Sequence, residues 1–182
     1  MSKHQRSQTA ITVIAAAVLS SLVATGCWSS AQAWLRPNYS QIEEGLYLGG
    51  QVDAPPPGTH AVLNVSQKPD RYQAPVHHWE PIPDGPPPPS LDWLRRQVDF
   101  VTAQRKLGRV VYVHCRVGVS RSGMVVVAYE MAKNDWTFEQ ALAFVRARRS
   151  IVNPNPAFRP LLREWERIVK TRAPVSGPSA PA

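Results

Sequence analysis

Cysteine is nearly absent from this chain, which has only Cys27 and Cys115 among its 182 residues. Two cysteines cannot build the disulfide framework that holds many small secreted scaffolds together. Hydrophobic residues make up 43% of the sequence, which is enough for one compact domain and too few for two comfortable cores. The composition therefore predicts a single globular domain.

Acidic residues are also scarce. The chain carries 13 aspartates and glutamates against 21 lysines and arginines, a formal net charge of +8. An excess of positive charge favours anionic partners such as phosphates, nucleic acid or lipid headgroups, but it does not choose among them. The charge balance indicates an anion-binding protein and nothing narrower.

Long hydrophobic runs are missing except near the amino terminus, where two basic residues precede an uncharged stretch at 9–26. Ala31-Gln32-Ala33 follows, a small-x-small pattern that signal peptidases cleave. We therefore expect residues 1–33 to be a signal peptide removed after Ala33. An uncleaved membrane anchor is one alternative, because the run is only slightly shorter than the roughly 20 residues of a membrane span.

Lipid attachment is the second alternative for this leader. The residues before Cys27 resemble a lipobox, although the usual leucine three positions before the cysteine is missing. All three interpretations predict an exported or membrane-tethered protein, with residues 9–27 as the segment that would associate with a membrane. Cleavage after Ala33 would leave Cys115 as the only thiol.

Past Ala33 the patterns of strands and helices alternate. Short apolar runs predict strands at 46–48, 61–65 and 110–113, and a proline-flanked fourth at 77–82 suits a sheet edge. Helical stripes begin at a Ser90 cap, near Gly123, at a Thr137–Gln140 capping box and near Leu161. This alternation predicts an α/β fold with a central, mostly parallel sheet flanked by helices. We expect the domain at 34–173 and a disordered tail at 174–182.

The stretch "VHCRVGVSRSG" at 113–123 carries the chemistry. Cys115 falls where a valine-rich strand ends, and residues 116–121 lead into a helix. The unpaired N–H groups and the dipole of a helix amino terminus bind tetrahedral anions, and Arg121 offers a planar fork for two phosphate oxygens. The same positive environment favours the thiolate of Cys115. The loop is thus predicted to hold phosphate and to attack it.

The pattern His-Cys-x-x-Gly-x-Ser-Arg-Ser resembles the signature of the cysteine-based protein tyrosine phosphatases, particularly the dual-specificity branch. "GLYLGG", "AVLNVS", "AYEM" and "RRSIVNPNPAF" resemble further segments of that family. The resemblance implies the protein tyrosine phosphatase fold, phosphomonoester hydrolysis through a cysteinyl-phosphate intermediate, and no metal or other cofactor.

The resemblance also implies roles for particular residues. Cys115 would be the nucleophile, Asp84 in "PIPDGPPPPS" the general acid, Ser122 the hydroxyl that stabilises the thiolate and His114 the residue that orders the loop. Asp92 and Asp99 are alternatives for the acid, but both fall on a predicted helix. The predicted phosphate-binding residues are Arg116, Val117, Gly118, Val119, Ser120 and Arg121.

Other functions share such a loop. Rhodanese sulfurtransferases use a similar but shorter one, and a phosphate-binding module without turnover would also conserve its shape. Phosphoinositide phosphatases tend to carry more basic residues in the loop than the single extra Arg116 seen here. We therefore expect a phosphorylated protein or small phosphoester as substrate, no nucleic-acid partner, and a monomer.

Overall fold

The computed structural model describes residues 37–171. The predicted leader at 1–33, Cys27 within it, and the predicted tail at 174–182 lie outside the described residues.

A five-stranded mixed sheet forms the centre of the domain. Its strands stand in the order β1-β2-β5-β3-β4, and every neighbouring pair is parallel except β1 with β2. The strands are β1 (Tyr39–Glu43), β2 (Leu46–Gly49), β3 (Thr59–Asn64), β4 (Val76–Trp79) and β5 (Val110–His114). The predicted mostly parallel sheet is confirmed, and the proline-flanked strand does lie at an edge.

Within residues 37–171, four α-helices flank the sheet: α1 (Leu91–Lys106), α2 (Arg121–Asn134), α3 (Phe138–Arg148) and α4 (Arg159–Thr171). The predicted caps are confirmed. The Ser90 hydroxyl accepts the Trp93 N–H, and Thr137 with Gln140 forms the reciprocal capping box. These side chains satisfy N–H groups that a helix cannot pair internally, so both helices begin where the sequence predicts.

Helix α2 has the largest buried fraction of the helices among residues 37–171. Every residue from Arg121 to Met131 is buried, and the helix packs against the other three helices. The Trp165 indole on α4 donates a hydrogen bond to the Ala128 carbonyl of α2 at 2.9 Å. Because β5 is the middle strand and leads directly into α2, the loop between them is supported from both sides. Clefts at the carboxyl ends of parallel strands are where α/β folds place their binding sites.

Candidate active site

Cys115 follows the last residue of β5 and is 1% exposed. Its own N–H donates to the Gly49 carbonyl at the end of β2, which fixes where the loop begins. The next five residues turn back over the sulfur before α2 starts at Arg121. Gly118 is needed in this turn. Its φ is +78°, and an added Cβ would lie 2.3 Å from the Gly49 carbonyl carbon.

The sulfur of Cys115 is surrounded by donors. The Gly118 N–H lies 3.4 Å from Sγ, and the Ser122 Oγ lies 3.3 Å from it. Burial acts to raise the pKa of this thiol, but hydrogen bonds from the Ser122 hydroxyl and from the N–H groups of Ser122, Gly118 and Val117 outweigh burial and lower the pKa below its ordinary value. The geometry thus favours the thiolate, the nucleophilic form of cysteine.

Ser122 has two acceptors for its one proton. Its Oγ is 3.4 Å from the Gly49 carbonyl oxygen as well as 3.3 Å from Sγ. A hydroxyl has a single proton to donate, and an anion is the stronger acceptor. The hydroxyl therefore turns to sulfur when Cys115 ionises, and it can return to the carbonyl when the sulfur is neutral or bonded to phosphorus.

Arg121, the first residue of α2, has a buried donor that makes no hydrogen bond within residues 37–171. The residue is 6% exposed, and one terminal nitrogen donates to the Ile82 carbonyl at 3.2 Å. Its Nε is buried and has no hydrogen-bond partner within residues 37–171. A buried guanidinium N–H without a partner costs free energy, so this donor is available to an oxygen atom of a bound anion.

Asp84 lies at the mouth of the same site. Its Oδ2 is 3.6 Å from Arg121 Nε, and its Oδ1 accepts the Ser120 hydroxyl at 2.6 Å. The side chain remains 39% exposed. Asn155 holds the Asp84 loop from the other side, since its Nδ2 donates to the Asp84 carbonyl at 3.2 Å. A carboxyl group is therefore anchored next to the buried arginine and open to solvent.

A cavity of about 580 Å³ opens above these groups. It is lined by Gln51, Ser66, Gln67, Lys68, Asp84, Arg116, Val117 and Arg121. Three of these side chains are cationic and one is anionic, so the cavity suits a negatively charged ligand. Neither alternative acid lines it: Asp92 pairs with Arg95 on α1 with its side chain 75% exposed, and Asp99 borders a different cavity.

A family model described as "Dual specificity phosphatase, catalytic domain" matches residues 46–168 of this sequence. The chain belongs to the dual specificity phosphatase family. Human dual specificity protein phosphatase 16 is 33% identical over 152 residues, which are 78% of this chain and 23% of that protein. Human dual specificity protein phosphatase 1 is 30% identical over 164 residues, which are 83% of this chain and 45% of that protein. The chain thus spans less than half the length of these relatives.

Solved structures show the same dual specificity phosphatase fold. A mouse protein assigned to this family, crystallised with zinc tungstate, superposes with a TM-score of 0.70 at 25% identity, covering 76% of this chain and 92% of that one. Human DUSP28 gives a TM-score of 0.66 at 26% identity, covering 74% and 97%. The predicted family and fold are confirmed, and the rhodanese alternative gains no support.

Four predicted site residues of this phosphatase domain, Asp84, Arg116, Val117 and Arg121, line the cavity. Arg116 and Val117 are exposed at its rim, Gly118 is buried under it, and Val119 is half-buried. Ser120 lies behind the rim, and its hydroxyl links Asp84 to the Asn155 N–H, which it accepts at 2.9 Å. The roles assigned to these residues remain predictions.

His114 lies beneath the loop, fully buried. Its Nδ1 is 3.3 Å from the Cys115 carbonyl oxygen and its Nε2 is 3.0 Å from Asp70 Oδ2. Burial acts to raise the pKa of Asp70, but hydrogen bonds and charge interactions with His114 and His77 lower it overall. An ionised Asp70 therefore fixes the orientation of the His114 ring, and the loop-ordering role of His114 stays a prediction.

Sequence reasoning assigned no role to three residues of the site: Asp70, Arg149 and Asn155. Asp70 and Asn155 each contact predicted site residues from loops remote in sequence, and Arg149 bonds the loop carbonyls of Val117 and Gly118. The "RRSIVNPNPAF" segment carries two of them, so its resemblance to the family was the available signal. Nothing in the "KPDRY" segment around Asp70 marks it as a partner of a buried histidine.

Proposed function

We propose that this domain hydrolyses phosphomonoesters in two steps with Cys115 as nucleophile. The observation that carries this proposal is a buried thiol that receives hydrogen bonds from Gly118 and Ser122 at the start of α2, the helix whose first residue, Arg121, has a buried Nε without a hydrogen-bond partner within residues 37–171. In the first step the sulfur attacks phosphorus, forming an S–P bond as the ester P–O bond breaks. Arg121 and the loop N–H groups stabilise the equatorial oxygens.

Asp84 supplies the proton that the leaving oxygen needs. Its carboxyl group is anchored by Ser120 and lies 3.6 Å from Arg121 Nε, at the edge of the phosphate position. An alkoxide leaves poorly unless it is protonated as the bond breaks. In the second step the Asp84 carboxylate takes a proton from water, whose oxygen bonds phosphorus while the S–P bond breaks. Ser122 stabilises the thiolate that departs.

The substrate we propose is a phosphorylated protein side chain. The cavity is open and carries Lys68 and Arg116 at its rim, which suit acidic residues flanking a phosphorylated side chain. The relatives named as dual specificity protein phosphatases support a protein substrate. The tungstate in the mouse structure supports an oxyanion site in this fold.

We also propose that the chain is exported or membrane-tethered. This rests on the leader pattern at 1–33, with cleavage after Ala33, acylation of Cys27 and an uncleaved anchor as the three routes. Among residues 37–171, no helix is both long and apolar enough to cross a membrane. Mass spectrometry of the protein purified from cells distinguishes the three routes by its first residue and by any lipid mass.

The test of activity compares the full chain with Cys115→Ser and with Cys27→Ser as a matched cysteine control. We expect hydrolysis of aryl phosphate and of phosphotyrosine and phosphothreonine peptides, with loss of turnover only in Cys115→Ser. Equal rates in Cys115→Ser and the unmodified chain would contradict the proposal. Faster turnover of phosphoinositide vesicles than of every peptide would replace the proposed substrate with a lipid.

A further inference from the structure

The backbone of the phosphate loop is held from outside at four successive carbonyls. Each carbonyl accepts one hydrogen bond from a group beyond the loop. Gln51 N–H donates to Arg116 O at 3.1 Å, Arg149 Nη2 to Val117 O at 3.0 Å, Arg149 Nε to Gly118 O at 2.8 Å, and Asn153 N–H to Val119 O at 3.0 Å. One side chain, Arg149, therefore supplies the two middle bonds.

Because peptide groups are planar, the hydrogen bonds that hold the loop carbonyls from outside also set the direction of the loop N–H groups. In a trans peptide the C=O and the N–H of the next residue point in opposite directions. A carbonyl held away from the sulfur therefore directs the following N–H toward it. The Val117 carbonyl shares its peptide with the Gly118 N–H, which lies 3.4 Å from Cys115 Sγ. The Gly118 carbonyl likewise fixes the N–H of Val119.

The guanidinium of Arg149 is buried and is satisfied by hydrogen bonds to neutral oxygen atoms. Arg149 is the capping residue that follows the last residue of helix α3, is 7% exposed, and its Nη2 also donates to Asn38 Oδ1 at 2.7 Å. Within residues 37–171 no carboxylate lies within ion-pair distance of it. A buried cation is costly unless hydrogen bonds satisfy it. Here the loop carbonyls and an asparagine oxygen do so.

A loop whose N–H groups all point inward is electrostatically unfavourable when no anion is bound. Inward N–H dipoles repel one another until an anion occupies the centre, and a peptide flip would relieve that repulsion. Gly118 makes a flip easy, because glycine adopts conformations at positive and negative φ about equally well. A fork that binds two successive carbonyls opposes a flip at either peptide.

We propose that Arg149 is a positioning residue for phosphoryl transfer, whose guanidinium clamps the carbonyls of Val117 and Gly118 so that the N–H groups of Gly118 and Val119 face the phosphate. The assignment rests on the proposed phosphatase function. The residue never touches the phosphate, so its effect reaches the reaction only through the direction of two peptide groups.

The test uses Arg149→Met, Arg149→Lys and a matched control, Arg148→Met. Arg148 is the preceding residue, is exposed, and stacks on Phe144 with its guanidinium carbon 3.6 Å from the ring centroid. Lysine keeps the charge but cannot bond two carbonyls as a planar fork. Each protein is measured for thermal unfolding, vanadate affinity, and the pH dependence of Cys115 alkylation.

Loss of one charge-assisted hydrogen bond corresponds to roughly a tenfold to hundredfold change in an equilibrium constant. We expect Arg149→Met to bind vanadate at least about tenfold more weakly and to shift Cys115 alkylation to higher pH, by the same hydrogen-bond arithmetic. Arg149→Lys should fall in between, and Arg148→Met should match the unmodified chain. If Arg149→Lys matched the unmodified chain in vanadate affinity and in the pH dependence of Cys115 alkylation, charge alone would suffice and the proposed clamp would be overturned.

The remaining outcomes distinguish a folding defect from a loss of the positioning role. If Arg149→Met does not fold, Arg149→Lys decides by the same two readouts. A folded Arg149→Met with unchanged vanadate affinity and an unchanged alkylation profile would overturn the proposal. If instead the unmodified chain neither binds vanadate nor turns over phosphoesters, the proposed function fails and not the clamp alone.

Discussion

Glu130 makes the stability of this domain depend on pH. The residue lies on α2 and is fully buried. Its Oε2 accepts the Asn134 amide at 2.9 Å, while its Oε1 is buried and has no hydrogen-bond partner within residues 37–171. Burial and the nearby charge of Glu43 raise the pKa of Glu130 to about 7, against opposition from Lys133, the Asn134 hydrogen bond and Arg148.

The sign of the effect follows from proton linkage. An unfolded glutamate has a pKa near 4.5, so between that value and about 7 the folded state binds more protons than the unfolded state. Stability is therefore fully present below pH 4.5 and falls as the pH rises through 7. A shift of two and a half units at about 1.36 kcal/mol each amounts to about 3 kcal/mol. Glu130→Gln removes the titration while retaining a similar shape.

Denaturant unfolding at about pH 5, near the lower end of this titration window, and at about pH 8.5, above its upper end, measures most of this contribution. We expect Glu130→Gln to resemble the unmodified chain at the lower pH and to be about 1–3 kcal/mol more stable at the higher pH. Glu164→Gln, at an exposed position on α4, is the matched control for replacing a carboxylate with an amide. Equal stability of Glu130→Gln and the unmodified chain at both pH values would refute the reasoning.

Three further predictions concern the site. Ser122→Ala removes a donor 3.3 Å from Cys115 Sγ, so the pKa of the thiol should rise in iodoacetamide titrations, and an unchanged titration argues against this contact. Gly118→Ala, at φ +78°, should lower the free energy of unfolding by more than about 1 kcal/mol and abolish vanadate binding. The control Gly85→Ala, with open space at its Cβ, should unfold like the unmodified chain. Equal stability of the two variants contradicts the prediction. A form cleaved after Ala33, the proposed route, would keep Cys115 as its only cysteine. Hydrogen peroxide should inactivate that form and thiols should restore only part of the activity, because no second cysteine can trap a sulfenic acid; full activity in peroxide without reductant disproves this.

Local chemistry explains what the sequence could predict. Valine-rich β5, the turn at Gly118 and the caps at Ser90 and Thr137 are short-range patterns, so strand, loop and helix starts were all predictable. Strand β1 was missed because only Ile42 of its five residues is buried, which leaves no run of apolar residues to detect.

Long-range pairing explains what the sequence could not predict. Asp70 reaches His114 across 44 positions, and Arg149 reaches Gly118 across 31. Their composition marks them only as charged residues, which are exposed in most folds. The parallel arrangement of β3 and β5 brings the first pair together, and the packing of α3 against α2 brings the second.

The central claim is that the sulfur of Cys115 bonds phosphorus during turnover, and trapping that adduct tests it most directly. Asp84→Asn should slow the hydrolysis of the intermediate, so acid quenching during turnover of an aryl phosphate should leave one phosphoryl group on the protein. We predict that peptide mass spectrometry will place this group on Cys115. Steady turnover with the phosphoryl group on another residue, or with none on Cys115 at any quench time, would contradict the account.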